Sequence, residues 1–275
     1  MVYPLDAARC YENVFISDIH LGTRGCQADK LLEFLSRVSC KNLYLVGDII
    51  DGWQLEKRNY WPDEHKAVMN EFLRLAKSGT RVVFITGNHD EFLRHYSDFS
   101  FGNVTLTDEI IFESKKGDRY LVVHGDKFDV ITSYARWIAI IGDYAYNFLL
   151  RLNVLVNFFR KRMGLPYWSL SAYIKHRVKR AVNFISDFES NVSRECTKRG
   201  FRGAICGHIH HAAIHKSETF DYMNCGDWVE SCTALIECLD GEFQIVDWLH
   251  PGKNDNVVTL PSQPAAVPDP GRHAA

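Results

Sequence analysis

Val14-Phe15-Ile16-Ser17-Asp18-Ile19-His20-Leu21-Gly22 is the stretch around which the chain is organised. Its first four residues carry no charge and include β-branched and aromatic side chains, a pattern that predicts a buried strand. We expect Asp18 and His20 to point the same way, because alternate residues of a strand share a face. A carboxylate and an imidazole on one face form half of a site for a divalent metal. Such a pair more often lies in an exposed loop, so this stretch alone does not establish a metal site.

Four further stretches repeat the pattern of an apolar strand followed by Asp, Asn or His. They end in Gly47-Asp48, Gly87-Asn88-His89-Asp90, His124-Gly125-Asp126 and Gly207-His208-Ile209-His210. In open α/β sheets, ligands bind beyond the carboxyl ends of the strands, so five such strands would place these groups around one rim. The glycines allow backbone and metal to approach closely. The repetition therefore predicts a metal site rather than five unrelated loops.

The blocks D-x-H, G-D-x-x-D, G-N-H-D, a lone His and G-H-x-H occur in that order between residues 18 and 210. In these blocks the chain resembles the calcineurin-like metallophosphoesterases. The resemblance implies an α/β fold, a four-layer α/β/β/α sandwich that holds two divalent metals. It assigns one metal to Asp18, His20, Asp48 and His210. It assigns the other to Asp48, Asn88, His124 and His208, so that Asp48 bridges the two ions.

Two residues beside the ligand set are candidates for a part in catalysis. In the family, the second acid of G-D-x-x-D commonly pairs with the histidine of G-N-H, which implies that Asp51 orients His89. The alternative for Asp51 is a solvated loop carboxylate. His89 follows the ligand Asn88 and can lie beside the leaving oxygen, where it donates a proton or stabilises phosphoryl charge.

The ligand chemistry also indicates the metal and the reaction. Two metals about 3.5–4 Å apart share a hydroxide and clamp a phosphate, so the hydroxide attacks phosphorus in line with the leaving group. The oxygen and nitrogen ligands suit Mn²⁺, Fe or Zn²⁺, and the absence of cysteine from the motifs favours Mn²⁺.

Composition is that of an ordinary globular protein. The chain has 275 residues, of which 46% are hydrophobic and 24% charged, consistent with one large domain or a domain with an insert. A net charge of −2 gives no bulk field that would attract nucleic acid. No apolar leader begins the chain, so we expect no signal peptide. Eight cysteines without a C-x-x-C favour a reducing, cytoplasmic compartment over a disulfide framework.

Three parts are predicted along the chain. Residues 1–127 and 200–250 form the metallophosphoesterase core, and residues 128–199, with strong helical periodicity, form an inserted helical cap. Residues 251–275 hold five of the eight prolines and are predicted to be a disordered tail.

Within the core, apolar periodicity predicts helices over residues 28–38 and 64–77. Residues 104–121 predict one β-hairpin that turns at Lys115-Lys116-Gly117-Asp118. Three later stretches predict short strands that complete the second sheet: residues 222–225, 233–238 and 243–248. Two lone histidines, His65 and His95, are assigned a structural or surface role. His211 and His215 are assigned a surface role, with contact to the substrate as the alternative.

The insert carries the information on the substrate. An apolar stripe at helical spacing includes Trp137, Phe148 and Leu152, whereas Asp143 and Arg151 at mid-segment disfavour a membrane span. Two interpretations of the stripe remain. In the first it belongs to a cap helix packed on the core, and in the second it is a wall for acyl chains or a face that rests on a membrane. In the second interpretation the substrate-binding residues are Phe148, Arg151 and Leu152 from the insert and Asn88 and Trp53 from the core.

Chain length, metal blocks and insert position together resemble the UDP-2,3-diacylglucosamine pyrophosphatase branch, over about residues 13–248. The resemblance implies hydrolysis of a UDP-diacylglucosamine-type lipid A precursor or a related lipid phosphate, with peripheral contact to the inner membrane. This branch usually has arginine where the chain has His89. One alternative is therefore a paralogue that acts as a phosphomonoesterase or as a nucleotide or nucleic-acid phosphodiesterase. A non-catalytic scaffold is a second alternative, disfavoured by the intact ligand set.

Overall fold

The computed structural model describes residues 9–128 and 188–250 of the chain. One sheet is built from seven strands: β1 (Arg9–Ile16), β2 (Val38–Val46), β3 (Arg81–Ile85), β4 (Ser100–Phe101), β5 (Val104–Thr107), β11 (Thr233–Glu237) and β12 (Phe243–Asp247). Their order across this first sheet is β12-β11-β1-β2-β3-β5-β4. The four central strands β1, β2, β3 and β5 run parallel, and their carboxyl ends therefore meet at one edge.

The second sheet is built from five strands: β6 (Glu109–Glu113), β7 (Arg119–Val123), β8 (Gly203–Cys206), β9 (Ala213–Lys216) and β10 (Asp221–Asn224). Their order is β6-β7-β8-β10-β9. Strands β7, β8 and β10 run parallel, whereas β6 and β9 lie antiparallel at the two edges.

The described helices are α1 (Ala28–Arg37), α2 (Gly52–Lys57), α3 (Asp63–Lys77) and α4 (residues 188–198), with short 3₁₀ turns at Glu91–Tyr96 and Asp126–Phe128. Helices α1 and α3 agree with the predicted helices to within one residue at each end. Each buries one apolar face and leaves its polar face in solvent, as the periodicity indicated.

Side-chain alternation along β1 shows how the layers are stacked. Phe15 points between the two sheets, where it stacks on Tyr44 at 4.6 Å and meets Phe112 edge-on at 5.2 Å. Its neighbours Val14 and Ile16 point to the opposite face, in the cluster that α1 and α3 cover. Helix α4 covers the outer face of the second sheet through its buried apolar residues. The predicted α/β/β/α order of layers is therefore confirmed.

Two predictions about the strands need correction. The predicted hairpin that turns at Lys115-Lys116-Gly117-Asp118 is present, but it consists of β6 and β7, because the first residues assigned to it form β5, which pairs with β3 in the first sheet. Of the three strands predicted to complete the second sheet, β11 and β12 lie in the first, with β11 antiparallel to β1. Periodicity reports which residues are buried and not which sheet receives them, since both sheets bury an apolar face against the same central layer.

Several predictions fall outside the described residues. Most of the predicted insert and the whole predicted tail lie there, and so do the candidate substrate residues Phe148, Arg151 and Leu152. Among residues 9–128 and 188–250, no helix has the length and apolar character that crossing a membrane requires. All eight cysteines are free thiols.

Candidate metal centre

The candidate ligands come from the loops that follow five strands, three in the first sheet and two in the second. The loop after β1 is tied to the loop after β2, because Asp18 N donates to Gly47 O at 3.1 Å and His20 N to Asp48 O at 2.9 Å. The loop after β8 joins them through His208 N, which donates to Asp18 Oδ2 at 2.9 Å. The carboxyl ends of both sheets thus converge on one place.

Five candidate ligands adopt the left-handed backbone conformation, with φ of +51° to +72°: Asp18, His20, Asp48, His208 and His210. Residues other than glycine rarely adopt it, and strained backbone of this kind costs about 1–3 kcal/mol and gathers at functional sites. The expectation that Asp18 and His20 share a strand face is wrong, because β1 ends at Ile16. The turn of the loop, and not strand alternation, aims these two side chains.

Among the described residues, three groups of Asp and His side chains bring ligand atoms within 4.8 Å of one another. Two consist of candidate ligands: the first cluster is Asp18, His20 and His210, and the second is Asp48, His124 and His208. The third group joins His20 to Asp51 and His89. Asp48 Oδ2 lies 3.2 Å from His124 Nε2 in its own cluster and 3.9 Å from His20 Nε2 in the first. This carboxylate therefore stands between the two clusters.

Four atoms of this set are buried and lack any hydrogen-bond partner: Asp18 Oδ1, His20 Nε2, Asn88 Oδ1 and His124 Nε2. An unsatisfied buried polar atom costs about 1–3 kcal/mol, so native proteins keep few of them. Three of these groups are held through their other polar atom. Asp18 Oδ2 accepts from His208 N at 2.9 Å, and His20 Nδ1 lies 3.2 Å from Asp51 Oδ2. His124 Nδ1 donates to Val46 O at 3.0 Å, which directs Nε2 toward Asp48. Four inward-facing donors of oxygen and nitrogen fit divalent metal ions.

Glycine is required where these loops pass the carboxylates. A side chain at Gly87 would overlap Asp48 Oδ1, and one at Gly207 would come within 2.5 Å of Asp18 Oδ2. Both glycines belong to the sequence motifs, and their role is to leave room for the ligand oxygens.

The electrostatics of the cluster favour a cation. Burial would raise the pKa of Asp48, but the charge of the neighbouring His124 holds that pKa well below its usual range. Burial likewise opposes a charge on His124, yet the Asp48 carboxylate outweighs it and raises the pKa of His124 to about 10. The site therefore has a negative potential strong enough to hold positive charge in the protein interior.

Asp51 contacts both His89, as expected, and His20. Its Oδ2 lies 3.1 Å from His89 Nδ1 and 3.2 Å from His20 Nδ1. Burial opposes ionisation, but these two histidines keep the pKa of Asp51 below its usual range. The carboxylate is only 3% exposed, so it is not the solvated loop charge that was the alternative.

Trp53 lies against the ring of His89, with the ring centroids 3.9 Å apart. Its indole Nε1 donates to Glu91 Oε1 at 3.2 Å. The contact links the start of α2 to the loop after β3, and it leaves the indole partly exposed beside the candidate centre.

Two residues near the centre were not identified from the sequence. Asp90 accepts hydrogen bonds from Gly87 N at 2.5 Å and Ile49 N at 2.8 Å, and so joins the loops after β2 and β3. Burial, with the Asp48 charge, raises the pKa of Asp90 to about 6. Its place in G-N-H-D is a signal that could have found it. His65 accepts a hydrogen bond from Gly22 N at 3.0 Å, and no sequence motif points to this residue.

Comparison with known proteins gives consistent matches. The family model described as calcineurin-like phosphoesterase matches residues 14–212. A UDP-2,3-diacylglucosamine hydrolase of Aliivibrio fischeri (strain MJ11) is 27% identical over 231 residues, which cover 81% of this chain and 92% of that protein. One of Vibrio vulnificus (strain YJ016) is 31% identical over 253 residues, covering 83% and 94%. One of Aeromonas salmonicida (strain A449) is 26% identical over 257 residues, covering 88% and 95%.

Proposed function

This chain belongs to the calcineurin-like phosphoesterase family and is a hydrolase of phosphoesters or pyrophosphates, and from that premise we propose that it works with two divalent metals on a UDP-diacylglucosamine-type lipid. The observation that carries the metal part is the set of buried donor atoms without hydrogen-bond partners in the two clusters that Asp48 separates: Asp18 Oδ1 and His20 Nε2 in the first and His124 Nε2 in the second. The lipid part is supported by the relatives, whose names specify UDP-2,3-diacylglucosamine.

In this proposal Asp48 is the shared ligand. One metal is held by Asp18, His20, Asp48 and His210, and the other by Asp48, Asn88, His124 and His208. When bound, two divalent ions lower the pKa of a water and polarise the phosphoryl oxygens, with Mn²⁺ favoured over Fe or Zn²⁺. Val46 O, which accepts from His124 Nδ1, fixes the tautomer that leaves Nε2 free to bind.

His89 serves the leaving group. Its Nδ1 faces Asp51 at 3.1 Å, and its Nε2 faces Asp48 Oδ2 at 3.9 Å, so the ring presents its far nitrogen to the centre. A proton on Nε2 can pass to the leaving oxygen while Asp51 stabilises the charge on the ring. Trp53 packs on this ring and limits its rotation.

Substitution of Asp48 tests the shared ligand. Asp48→Ala should abolish turnover of bis-p-nitrophenyl phosphate and lower the bound metal measured by mass spectrometry, because both ions lose a ligand. Asp108→Asn is the matched control, since Asp108 accepts the Thr86 hydroxyl just before Gly87 and touches none of the candidate ligands. Full activity in Asp48→Ala would overturn the two-metal proposal.

The substrate is tested with four compounds assayed with Mn²⁺: UDP-2,3-diacylglucosamine, the same sugar nucleotide without acyl chains, bis-p-nitrophenyl phosphate and p-nitrophenyl phosphate. Burial of acyl chains contributes about 0.8 kcal/mol per methylene, so kcat/KM for the diacyl compound should exceed that of the unacylated one by more than about 100-fold. Phe148 and Leu152 are the proposed acyl-contacting residues, and Arg151 is a proposed substrate-binding residue on another face of the same segment.

His89 supports a second candidate function. Where the branch usually has arginine, this chain has His89, whose imidazole faces Asp51 and, unlike arginine, can be neutral. If kcat/KM for the unacylated compounds equals that for the diacyl one, the chain is a phosphodiesterase or phosphomonoesterase of a soluble substrate.

We also propose peripheral contact with the cytoplasmic face of the membrane, for which cosedimentation with phospholipid vesicles is the measurement.

A further inference from the structure

We propose that His65 is a positioning residue for the loop that carries Asp18 and His20, and that it keeps His20 aligned for metal binding through Gly22. The inference rests on the metal site proposed above. His65 lies in the first turns of α3 and is 3% exposed, and its Nδ1 accepts the backbone N–H of Gly22 at 3.0 Å.

The series of hydrogen bonds along this loop shows why the contact matters. Asp18, His20 and Leu21 donate their backbone N–H groups to the carbonyls of Gly47, Asp48 and Ile49 in the neighbouring ligand loop. Gly22 N turns away from that loop and donates to His65 instead. The ligand loop is thus anchored along its length by backbone and at its end by one side chain from a helix.

The conformation of Gly22 makes this end sensitive to its anchor. Its φ is +104°, a region open to glycine, and a Cβ there would lie 2.8 Å from Leu55 Cγ. His20, two residues earlier, is itself left-handed with φ of +54°. A shift of Gly22 therefore passes to the His20 imidazole through a short segment with little conformational freedom.

The surroundings of His65 favour the form that can accept a hydrogen bond. The Gly22 N–H can only donate, so Nδ1 must carry a lone pair and the ring proton must sit on Nε2. Tyr60 and Trp61 meet the ring perpendicularly, with centroids 5.8 and 5.7 Å away. Burial lowers the pKa of His65, which keeps the imidazole neutral.

Two variants separate the acceptor from the bulk of the side chain. His65→Asn places an amide oxygen on Cγ, where Nδ1 is attached, and so keeps an acceptor for Gly22. His65→Leu keeps an apolar side chain of similar bulk and removes the acceptor. Mn²⁺ affinity, measured by titration calorimetry on metal-stripped protein, should fall about 10–100-fold in His65→Leu and stay within about threefold of wild type in His65→Asn.

Val68→Ala is the matched control for a general loss of packing. Val68 lies three residues further along α3, is fully buried in the core cluster that includes Ile19 and Leu21, and has no side-chain group that could accept a hydrogen bond from Gly22. The Val68→Ala substitution should lower the unfolding temperature without weakening Mn²⁺ binding. Amide hydrogen exchange at Gly22 should speed up in His65→Leu and not in Val68→Ala.

The outcomes distinguish the inference from the proposal on which it rests. Weak binding of Mn²⁺ by the wild type would overturn the two-metal site. Wild-type affinity in His65→Leu, or equal losses in His65→Leu, His65→Asn and Val68→Ala, would overturn the role of His65 while leaving the metal site intact.

Discussion

At the level of single residues, the candidate centre is built from backbone conformations that ordinary side chains avoid. Asp18, His20 and Asp48 are held left-handed by backbone hydrogen bonds between their own two loops. Glycine at position 87 leaves the space that the Asp48 carboxylate occupies. Strain of this kind persists only where the surrounding contacts outweigh it, which the bonded loops and the two sheets behind them provide.

His89 provides a prediction at this scale. His89→Ala should retain bound metal and lose about 10²–10⁴-fold in turnover, because the ring serves the leaving group and is not a ligand. The loss should be smaller for p-nitrophenol esters, whose leaving group needs no proton. Steady-state rates on two leaving groups, with metal analysis of the same samples, provide the measurement.

His95→Ala is the control for this change, since His95 is an exposed histidine in the neighbouring 3₁₀ turn. Loss of metal from His89→Ala would show that the ring is a ligand and that its role is misassigned.

At the level of elements, α4 is joined to the second sheet by one ion pair as well as by its apolar face. His215 Nδ1 on β9 lies 3.1 Å from Glu189 Oε1 on α4, and each side chain is about one fifth exposed. The Glu189 carboxylate outweighs burial and raises the pKa of His215. His215, for which the sequence indicated a surface role, thus links two elements.

The ion pair predicts a pH-dependent stability. A raised folded-state pKa means that the stabilisation is complete below the unfolded pKa of about 6.5 and is lost as pH rises through the folded pKa. His215→Gln should therefore lower the free energy of unfolding by about 0.2–1 kcal/mol at pH 5.5 and by much less at pH 9. Urea unfolding at both pH values is the measurement, and a loss of equal size at both would contradict the prediction.

The strands show a limit of reasoning from local pattern. β5 and β6 are separated by Asp108 alone, yet they belong to different sheets. β11 is buried along its whole length because it lies inside the first sheet between β1 and β12. β11 pairs with β1, more than two hundred residues earlier in the chain, and β5 pairs with β3, about twenty residues earlier. Periodicity does not record such partners.

At the level of the whole molecule, the candidate ligands join the ends of two separate sheets. Asp18, Asp48 and Asn88 follow strands of the first sheet, and His124 and His208 follow strands of the second. An ion bound by both groups opposes any separation of the sheets at that end. Metal binding should therefore stabilise the fold as a whole, and not one loop.

Mn²⁺ at a concentration 100 times its dissociation constant should raise the free energy of unfolding by about 2.7 kcal/mol. For a domain of this size it corresponds to a rise in unfolding temperature of about 5–10 °C. Thermal unfolding with and without Mn²⁺, and after addition of EDTA, is the measurement. Asp48→Ala should abolish most of the shift, and an equal shift in that variant would place the stabilising ion elsewhere.

The sequence by itself determined the family through its motifs, and the resemblance to that family implied the hydrolase class and the α/β/β/α layers. Residue spacing records which face of an element is buried, and short motifs record which polar groups follow a strand. Asp18, Asp48 and the other candidate ligands could be named for that reason. Helices α1 and α3 were located to within a residue, since each buries one continuous apolar face.

Only the tertiary structure decided which sheet receives β11 and β12, how the loop after β1 turns, and which atoms are buried without partners. It alone brought His65 to Gly22, and Asp51 to two histidines at once. These features arise where segments distant in the chain meet, and their energies come from pairing, desolvation and steric fit between those segments. A local pattern carries no record of such partners, because the residue type is compatible with many of them.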